Sequence, residues 1–197
     1  MTENNFAEIE QLVARERLFR ARHNPEIRDC YFPDATVATS WQKGSIDTFL
    51  GAQPTEVKQD TAIVGSTSTP VIHQNGKRAY VELPTTTRMY FDVNGVTAEI
   101  ISFRRLIYRV EDRGDGVWRI ASMISINEND ELHPVNPSAD LHVKDEDLKG
   151  LRPSYRWLSY TRCKAGGQIS DDLLGTDRPD DIKRVYAEAE AWLNEAK

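Results

Sequence analysis

Residues 75–127 read NGKRAYVELPTTTRMYFDVNGVTAEIISFRRLIYRVEDRGDGVWRIASMISIN, and this stretch determines the architecture of the chain. The pairs Asn75-Gly76 and Asn94-Gly95 are strong hairpin signals, because both central residues of a type I′ turn take positive φ. Arg113-Gly114-Asp115-Gly116 is a third turn signal. The runs between the turns have the length of long strands: 78–91, 96–112 and 117–127. Such strands, joined by tight turns, form an antiparallel meander whose twist curls the sheet.

The residues before the meander predict helices and a first strand. Apolar residues recur at helical spacing through 5–22, and Asn24-Pro25 ends that helix. A short helical turn through Ile27 and a strand over 36–41 follow. A second helix then starts with Ser45 as its cap. From residue 61 onward the pattern is typical of strands.

The residues after the meander predict a polar linker and two helices. Residues 128–150 carry acidic groups and two prolines, which is typical of a linker. Pro153 lies near the start of the next helix, and Gly166-Gly167 ends it. The last helix begins near Asp177 and has an apolar stripe that must pack against this domain or a partner subunit.

The charge of the chain restricts its partners. The 197 residues carry a net charge of −6 at pH 7, which argues against binding to nucleic acid or to an anionic membrane, because both need basic patches. Arg15, Arg17, Arg20 and Arg22 cluster in the first helix, but acidic neighbours offset them and favour a solvated face. No membrane-spanning apolar run and no signal-peptide pattern is present, so we expect a cytoplasmic location.

Short motifs along the chain resemble those of one superfamily. Tyr31-Phe32-Pro33-Asp34-Ala35 is similar to its Phe-x-x-Asp-Ala entry to the first strand, and Ser40-Trp41 with Gly44 and Phe49 to its Trp-x-x-Gly motif. Gly76-x-Arg78-Ala79 and Gly116-x-Trp118-Arg119-Ile120 are similar to its hairpin and final-strand motifs. The chain resembles the SnoaL-like branch of the nuclear transport factor 2-like superfamily. Residues 152–158 and 172–193 resemble a C-terminal helical extension found in some members.

This resemblance implies a fold and a general role. The fold is α+β: a curved antiparallel sheet meander is closed by N-terminal helices into a cone, a cystatin-like α+β barrel, and two C-terminal helices are added. We assign the cone domain to residues 1–135 and the helical extension to 136–197, packed on the same domain or on a dimer partner. The cone is expected to bind a small hydrophobic or aromatic molecule without a cofactor, in a homodimer.

The acid–base residues of the family's dehydratases are mostly replaced in this chain. Those enzymes use a tyrosine and an aspartate near the end of the first helix and a histidine on an inner strand. The tyrosine position falls on Leu18, the aspartate position near His23 and the histidine position near Ser68.

Three residues remain candidates for catalysis, each with a structural alternative. His23 is a candidate base at the pocket rim, although a polar helix-end residue is the plainer interpretation. Asp34 belongs to the family motif, although a turn or cap role is the plainer interpretation. Asn127, with Ser125, resembles a Ser-x-Asn pair that lines the pocket of scytalone dehydratase; hydrogen bonding at the strand end is the alternative.

Five further residues are candidates for contact with the ligand, and no metal site is indicated. Alternation puts Met123 and Ser125 on the same face as Asn127. Trp41 and Tyr90 could form an aromatic wall, and Ser68 stands at the histidine position. Only one of Arg104 and Arg105 can face inward, where it would bind a carboxylate or a phenolate unless it forms a salt bridge.

Two functions follow from these residues. The first is a cofactor-free lyase or isomerase that uses His23 or Asp34 as base and Asn127, Ser125 or a tyrosine as hydrogen-bond donor. The second is a non-catalytic ligand-binding or assembly protein that keeps the cone and has lost the acid–base set. An ionisable group inside the cone would distinguish them.

Overall fold

The computed structural model describes residues 4–51 and 63–195. The helices are α1 (Phe6–Ala21), α2 (Ile46–Gly51), α3 (Asp145–Leu148), α4 (Arg156–Lys164) and α5 (Pro179–Asn194), with 3₁₀ turns at Pro25–Cys30 and Pro153–Tyr155. The strands are β1 (Tyr31–Ala38), β2 (Lys43–Ser45), β3 (Ile63–Thr67), β4 (Val71–Asn75), β5 (Arg78–Val93), β6 (Val96–Asp112) and β7 (Trp118–Pro134). No helix among these residues is long and apolar enough to cross a bilayer.

One curved, unclosed sheet of seven strands carries the fold, in the order β2-β1-β7-β6-β5-β3, with β4 also paired to β5. The pairs are antiparallel, except that β1 lies parallel to β7. Register shifts at Phe103/Arg104 and at Arg109/Val110 mark bulges, which bend a sheet. The predicted α+β cone with two C-terminal helices is therefore confirmed.

The hairpin turns follow the sequence signals, with one shift in register. Val93 pairs with Val96, and both loop residues have positive φ, 55° at Asn94 and 82° at Gly95, as predicted. In the earlier hairpin Asn75 is the last strand residue and pairs with Arg78, so the loop consists of Gly76 and Lys77. That loop lies one residue later than predicted.

Two strand boundaries differ from the predicted ones. The first strand begins at Tyr31 rather than at residue 36. β7 continues to Pro134, so the predicted linker is wrong for residues 128–134. The polar sequence of residues 128–134 gives no strand signal. Pairing with β6, for example of Leu132 with Ile100, nevertheless holds these residues in the sheet.

Pro84 lies where the edge of the sheet is interrupted. β4 pairs with β5 as far as Glu82, and β3 pairs with β5 from Thr85 onward. Pro84 has no N–H to donate, and its carbonyl accepts a hydrogen bond from the Ser68 N–H over 3.0 Å. Because Pro84 lies in the gap between β4 and β3, its missing N–H leaves no hydrogen bond of the sheet edge unmade.

The inner face of the sheet is the face on which α1 lies. Ile9, Leu12 and Val13 of α1 join a buried cluster with residues such as Leu106 and Tyr108 of β6. Residues two apart on a strand share a face, so this parity defines the inner face of β6. The N-terminal helix thereby closes one side of the cone.

The two C-terminal helices pack on opposite faces of the chain's own sheet. Leu158 of α4 clusters with Met89 and Ile100 on the inner face. The Asp130 carboxylate of β7 accepts the Leu158 N–H over 2.8 Å and so satisfies the start of that helix. On the outer face, Val185 of α5 packs with Ile107 and Ile126 in a further cluster.

A salt bridge fixes the segment between α4 and α5. The Arg152 guanidinium donates two hydrogen bonds to Asp177, over 2.8 and 2.7 Å, and the Ser154 hydroxyl adds a third over 2.7 Å. The hydrogen bonding from Arg152 has the largest effect on the pKa of Asp177, and burial opposes it. Together with the bond from Ser154, the bonds from Arg152 lower this pKa to about 2.

We expect Asp177→Asn to lower the free energy of unfolding by about 1–2 kcal/mol at neutral pH. A depressed carboxyl pKa stabilises the fold above the ordinary pKa of about 4, and this stabilisation is lost as the pH falls toward 2. The difference from the unmodified protein should therefore be constant above about pH 5 and shrink below about pH 4 in urea titrations. Asp180→Asn, at a side chain 92% exposed, is the control and should show almost no difference. A pH-independent effect of Asp177→Asn would contradict this assignment.

Candidate functional site

A cavity of about 650 Å³ lies between the inner face of the sheet, α1, α2 and α4. Its apolar walls come from different elements. They comprise Phe49 of α2, Met89 and Phe91 of β5, Leu106 of β6, Met123 of β7 and Leu158 of α4. The hydroxyl-bearing Thr87 and Ser102 stand opposite each other in the β5–β6 register and also line it. The cavity is large enough for a small organic molecule.

Three arginines converge on this cavity. Arg17 and Arg20 stand three residues apart on α1 and therefore share one helix face, which is turned to the cavity. Arg104 reaches the cavity from β6, on the same face as Leu106. The predicted solvated face is thus wrong for Arg17 and Arg20. Of the neighbouring residues Arg104 and Arg105, Arg104 is the one that faces inward and lines the cavity.

The guanidinium groups are only partly satisfied. Arg104 Nη2 donates to the Thr87 hydroxyl, whereas its Nε is fully buried without a hydrogen-bond partner in the described part of the chain. Arg20 stacks over the Phe49 ring at 4.1 Å, and its Nη1 is also buried without such a partner. Buried donors without acceptors are costly and rare in native proteins.

Burial and charge repulsion alter the pKa values of the three arginines. Desolvation first, and then the charges of Arg17 and Arg20, lower the pKa of Arg104 to about 10. Desolvation likewise lowers the pKa of Arg20. At Arg17 desolvation acts in the same direction, but the Glu16 carboxylate together with Tyr108 and Tyr31 outweighs it, and the pKa is raised. A group with a pKa of about 10 still carries its charge at neutral pH.

A single buried carboxylate, Glu16, lies beneath the arginines. It is fully buried and accepts hydrogen bonds from the Tyr31 hydroxyl over 3.0 Å and the Tyr108 hydroxyl over 2.9 Å. Arg17 Nη1 lies 3.7 Å from Glu16 Oε2, the oxygen that also accepts the Tyr108 hydroxyl. Burial, and next the Glu16 charge, raise the pKa of both tyrosines well above 10, so they remain hydroxyl donors.

The structure separates the three candidate catalytic residues. His23 lies at the rim of the cavity, exposed, with a left-handed φ of 51° just after α1. Asp34 accepts two hydrogen bonds from Arg113, over 2.8 and 3.0 Å, and these bonds lower its pKa. It is not among the residues that line the cavity.

Asn127 joins the C-terminal extension to the sheet. Its side-chain oxygen accepts the Ser40 hydroxyl over 3.0 Å, and its Nδ2 donates to the Leu174 carbonyl over 3.0 Å. Its backbone bonds to Leu174 and Thr176. The amide groups are thus engaged at the strand end, and the catalytic role of Asn127 stays a prediction.

The candidate ligand contacts divide between the two faces of the sheet. Trp41 and Met123 line the cavity, Trp41 at the mouth, where the Arg162 guanidinium of α4 lies 5.4 Å from its ring. Ser125 is buried beside Leu106, and its hydroxyl has no hydrogen-bond partner among the described residues. Tyr90 falls between Met89 and Phe91, so its side chain points to the outer face. Ser68 is exposed at the sheet edge.

Sequence reasoning missed the arginines as a group, although one signal was available. Arg104 falls in register with Ser102, Leu106 and Tyr108, which is the buried face of an alternating strand. A charged residue at such a position indicates a polar site within the cone. The inward orientation of Arg17 and Arg20 could not be recognised, because they adjoin exposed arginines.

Other features offer no comparable site. A groove of about 760 Å³ lies between α1, the start of β1 and the β6–β7 turn; apolar residues such as Phe32 and Trp118 line it together with arginines and acidic residues that balance one another in charge. No group of three or more potential metal ligands occurs within residues 4–51 and 63–195.

Comparisons with known proteins agree with this fold. No family model matches the chain. A PEP2-like protein of Fusarium vanettenii is 26% identical over 174 residues, which cover 83% of this chain and 74% of that protein. Pea pathogenicity protein 2 of the same fungus is 25% identical over 173 residues, with the same coverage.

Two solved structures superpose on most of the chain. A candidate scytalone dehydratase from Novosphingobium aromaticivorans gives a TM-score of 0.52 at 14% identity, covering 71% of this chain and 89% of that one. A hexachlorocyclohexane dehydrochlorinase gives 0.50 at 14% identity, covering 71% and 93%. At such identities the likeness concerns the fold alone. The chain therefore shares the α+β cone fold of these two proteins, as its short motifs predicted.

Proposed function

We propose that this protein binds a small organic molecule with an apolar body in the cone cavity and acts as a ligand-binding protein. One observation carries the proposal: an open volume of about 650 Å³ remains on the inner face between Met89, Leu106 and Leu158, where a solid core would fill it. A cavity of this size with apolar walls and a few polar groups is typical of ligand sites.

The alternative, a cofactor-free lyase or isomerase, has less support in the geometry. Its base would be His23, which lies exposed at the rim. Asp34 is engaged with Arg113, and Asn127 with Ser40 and Leu174. No carboxylate of the described residues lines the cavity, so a proton acceptor deep in the cone would have to come from elsewhere.

The homodimer and the cytoplasmic location remain predictions from the sequence. The position of α5 limits how a homodimer could form, because this helix occupies part of the outer sheet face that a partner would otherwise cover. A dimer would therefore use the remainder of that face or the helices themselves.

A bulky side chain at Gly65 tests the binding site. Gly65 lines the cavity from β3, and a Cβ atom there would meet no other atom within 4 Å. Gly65→Phe therefore directs a ring toward the cavity from a position where the Cβ atom has room. We expect it to weaken binding of the neutral dye N-phenylnaphthylamine by about tenfold, measured by the rise in dye fluorescence.

Val64→Phe is the matched control for this experiment. Val64 is the adjacent residue of the strand, half exposed, and its side chain points away from Gly65. Its variant should bind the dye as the unmodified protein does. If the dye does not bind at all, or if both variants bind it equally, the proposed site is refuted.

A further inference from the structure

We infer that the cone cavity is selective for small organic anions and that Arg104, Arg20 and Arg17 hold the carboxylate or phosphate group of the ligand. The inference rests on the proposed function, since it names the chemical class that the proposed site would bind. A chain with a net charge of −6 has here concentrated positive charge in the apolar-walled cavity of its cone.

The first argument is charge balance around the cavity. Arg17, Arg20, Arg104 and, at the mouth, Arg162 contribute guanidinium groups. Of the described residues, only Glu16 provides a carboxylate that contacts them, at 3.7 Å from Arg17. Asp130 lies on the same face but does not line the cavity; one of its oxygens accepts the Leu158 N–H of α4, and the other is buried without a hydrogen-bond partner among the described residues. The inner end of the cavity therefore has an excess of positive charge that an anion would neutralise.

The second argument is the contrast with those arginines of the chain that form ion pairs. Arg152 pairs with Asp177, Arg113 with Asp34, and Arg105 with Glu128. Arg20 and Arg104 form no ion pair with a described carboxylate; instead, one stacks on Phe49 and the other donates to Thr87. An arginine retained for stability alone would have an acidic partner, because a desolvated, unpaired charge destabilises a fold.

The third argument is that cavity-lining arginines carry unused hydrogen-bond donors. Arg104 Nε and Arg20 Nη1 are buried without acceptors, and so is the Ser125 hydroxyl in the strand beside Leu106. Guanidinium donors match the geometry of carboxylate and phosphate oxygens, and hydrogen bonds to charged acceptors are the stronger class. Next to this polar end, Met89 and Leu158 provide a wall for an apolar body.

A pair of dyes that differ only in charge tests the inference. Anilinonaphthalene sulfonate carries an anionic group, whereas N-phenylnaphthylamine has the same ring system without it. We expect the unmodified protein to bind the anionic dye at least about tenfold more tightly. Arg104→Met should weaken binding of the anionic dye by about 10- to 100-fold and should change the affinity for the neutral dye by less than about twofold.

Two controls separate a site from general electrostatic attraction. Arg22→Met removes an exposed charge of α1 outside the cavity lining and should leave both affinities unchanged. Benzoate and phenyl phosphate should displace the anionic dye, and neutral benzamide should not. The more effective of the two acids identifies the group that the arginines hold.

Heat stability provides a readout that is independent of binding. Without ligand, Arg104→Met removes a desolvated charge, so we expect its melting temperature to be equal to or above that of the unmodified protein. A fall of more than about 5 °C would show a structural arginine and overturn the inference.

The outcomes distinguish this inference from the proposed function. If both dyes bind the unmodified protein equally, the cavity binds ligands but does not select anions. If Arg22→Met lowers the anionic-dye affinity as much as Arg104→Met does, the preference is a surface effect and the inference fails. If neither dye binds, the proposed function itself fails.

Discussion

Replacing Glu16 with alanine is expected to lower the free energy of unfolding by about 3–5 kcal/mol, among the largest effects of any single substitution in this chain. Glu16 is fully buried, and its two oxygens accept the hydroxyl groups of Tyr31 and Tyr108. Its removal leaves both hydroxyls without their acceptor and the neighbouring Arg17 without its carboxylate. It also opens a void in the base of the cone.

Urea unfolding followed by tryptophan fluorescence measures this loss. Glu16→Gln retains the shape and one acceptor oxygen but removes the charge, so it should fall between the unmodified protein and Glu16→Ala. Glu10→Ala lies on the exposed side of the same helix and should change the unfolding free energy by no more than about 0.5 kcal/mol. A cost below about 1 kcal/mol for Glu16→Ala would contradict the structural role of this carboxylate.

Val185→Asp is expected to destabilise the protein by about 3–5 kcal/mol and to release α5 from the outer face of the sheet. Val185 is 7% exposed and packs between Ile107 and Ile126, where a carboxylate would have no partner. Release of the helix would expose those isoleucines, so we expect the variant to self-associate in light scattering as well.

Ala187→Asp is the control on the same helix. Ala187 is exposed two residues away, so an aspartate there remains solvated and the helix stays docked. Hydrogen exchange of the α5 amides should distinguish the variants, with protection lost in Val185→Asp alone. An unchanged exchange pattern in Val185→Asp would show that α5 is not held by this contact.

The unpaired arginines illustrate a conflict between stability and binding. Arg104 and Arg20 contain buried donors without partners, which opposes folding in the absence of a ligand. A bound anion would satisfy them and stabilise the protein by mass action. The arginines that destabilise the ligand-free protein would thus provide its affinity and its selectivity for anions.

Local sequence was sufficient to predict the elements of this fold. The Asn94-Gly95 turn, the 3.6-residue period of α1 and the apolar stripe of α5 each act over a few residues, so their structures follow from nearby side chains. The strand 128–134 was missed for the complementary reason. Its polar residues carry no strand pattern, and only pairing with β6 holds them in the sheet.

The composition of the cavity was decided by tertiary structure. Arg104 lies more than eighty positions after Arg17 and Arg20 in the chain, and α4, which closes the cavity, comes from a further part of the sequence. Residue periodicity tells which side chains share a face, but it does not tell which faces meet. The sequence alone thus determined a curled meander with helices at both ends. Only the packing of α1 and α4 on the inner face brought the three charges together, because curvature and docking depend on contacts between residues far apart in the chain.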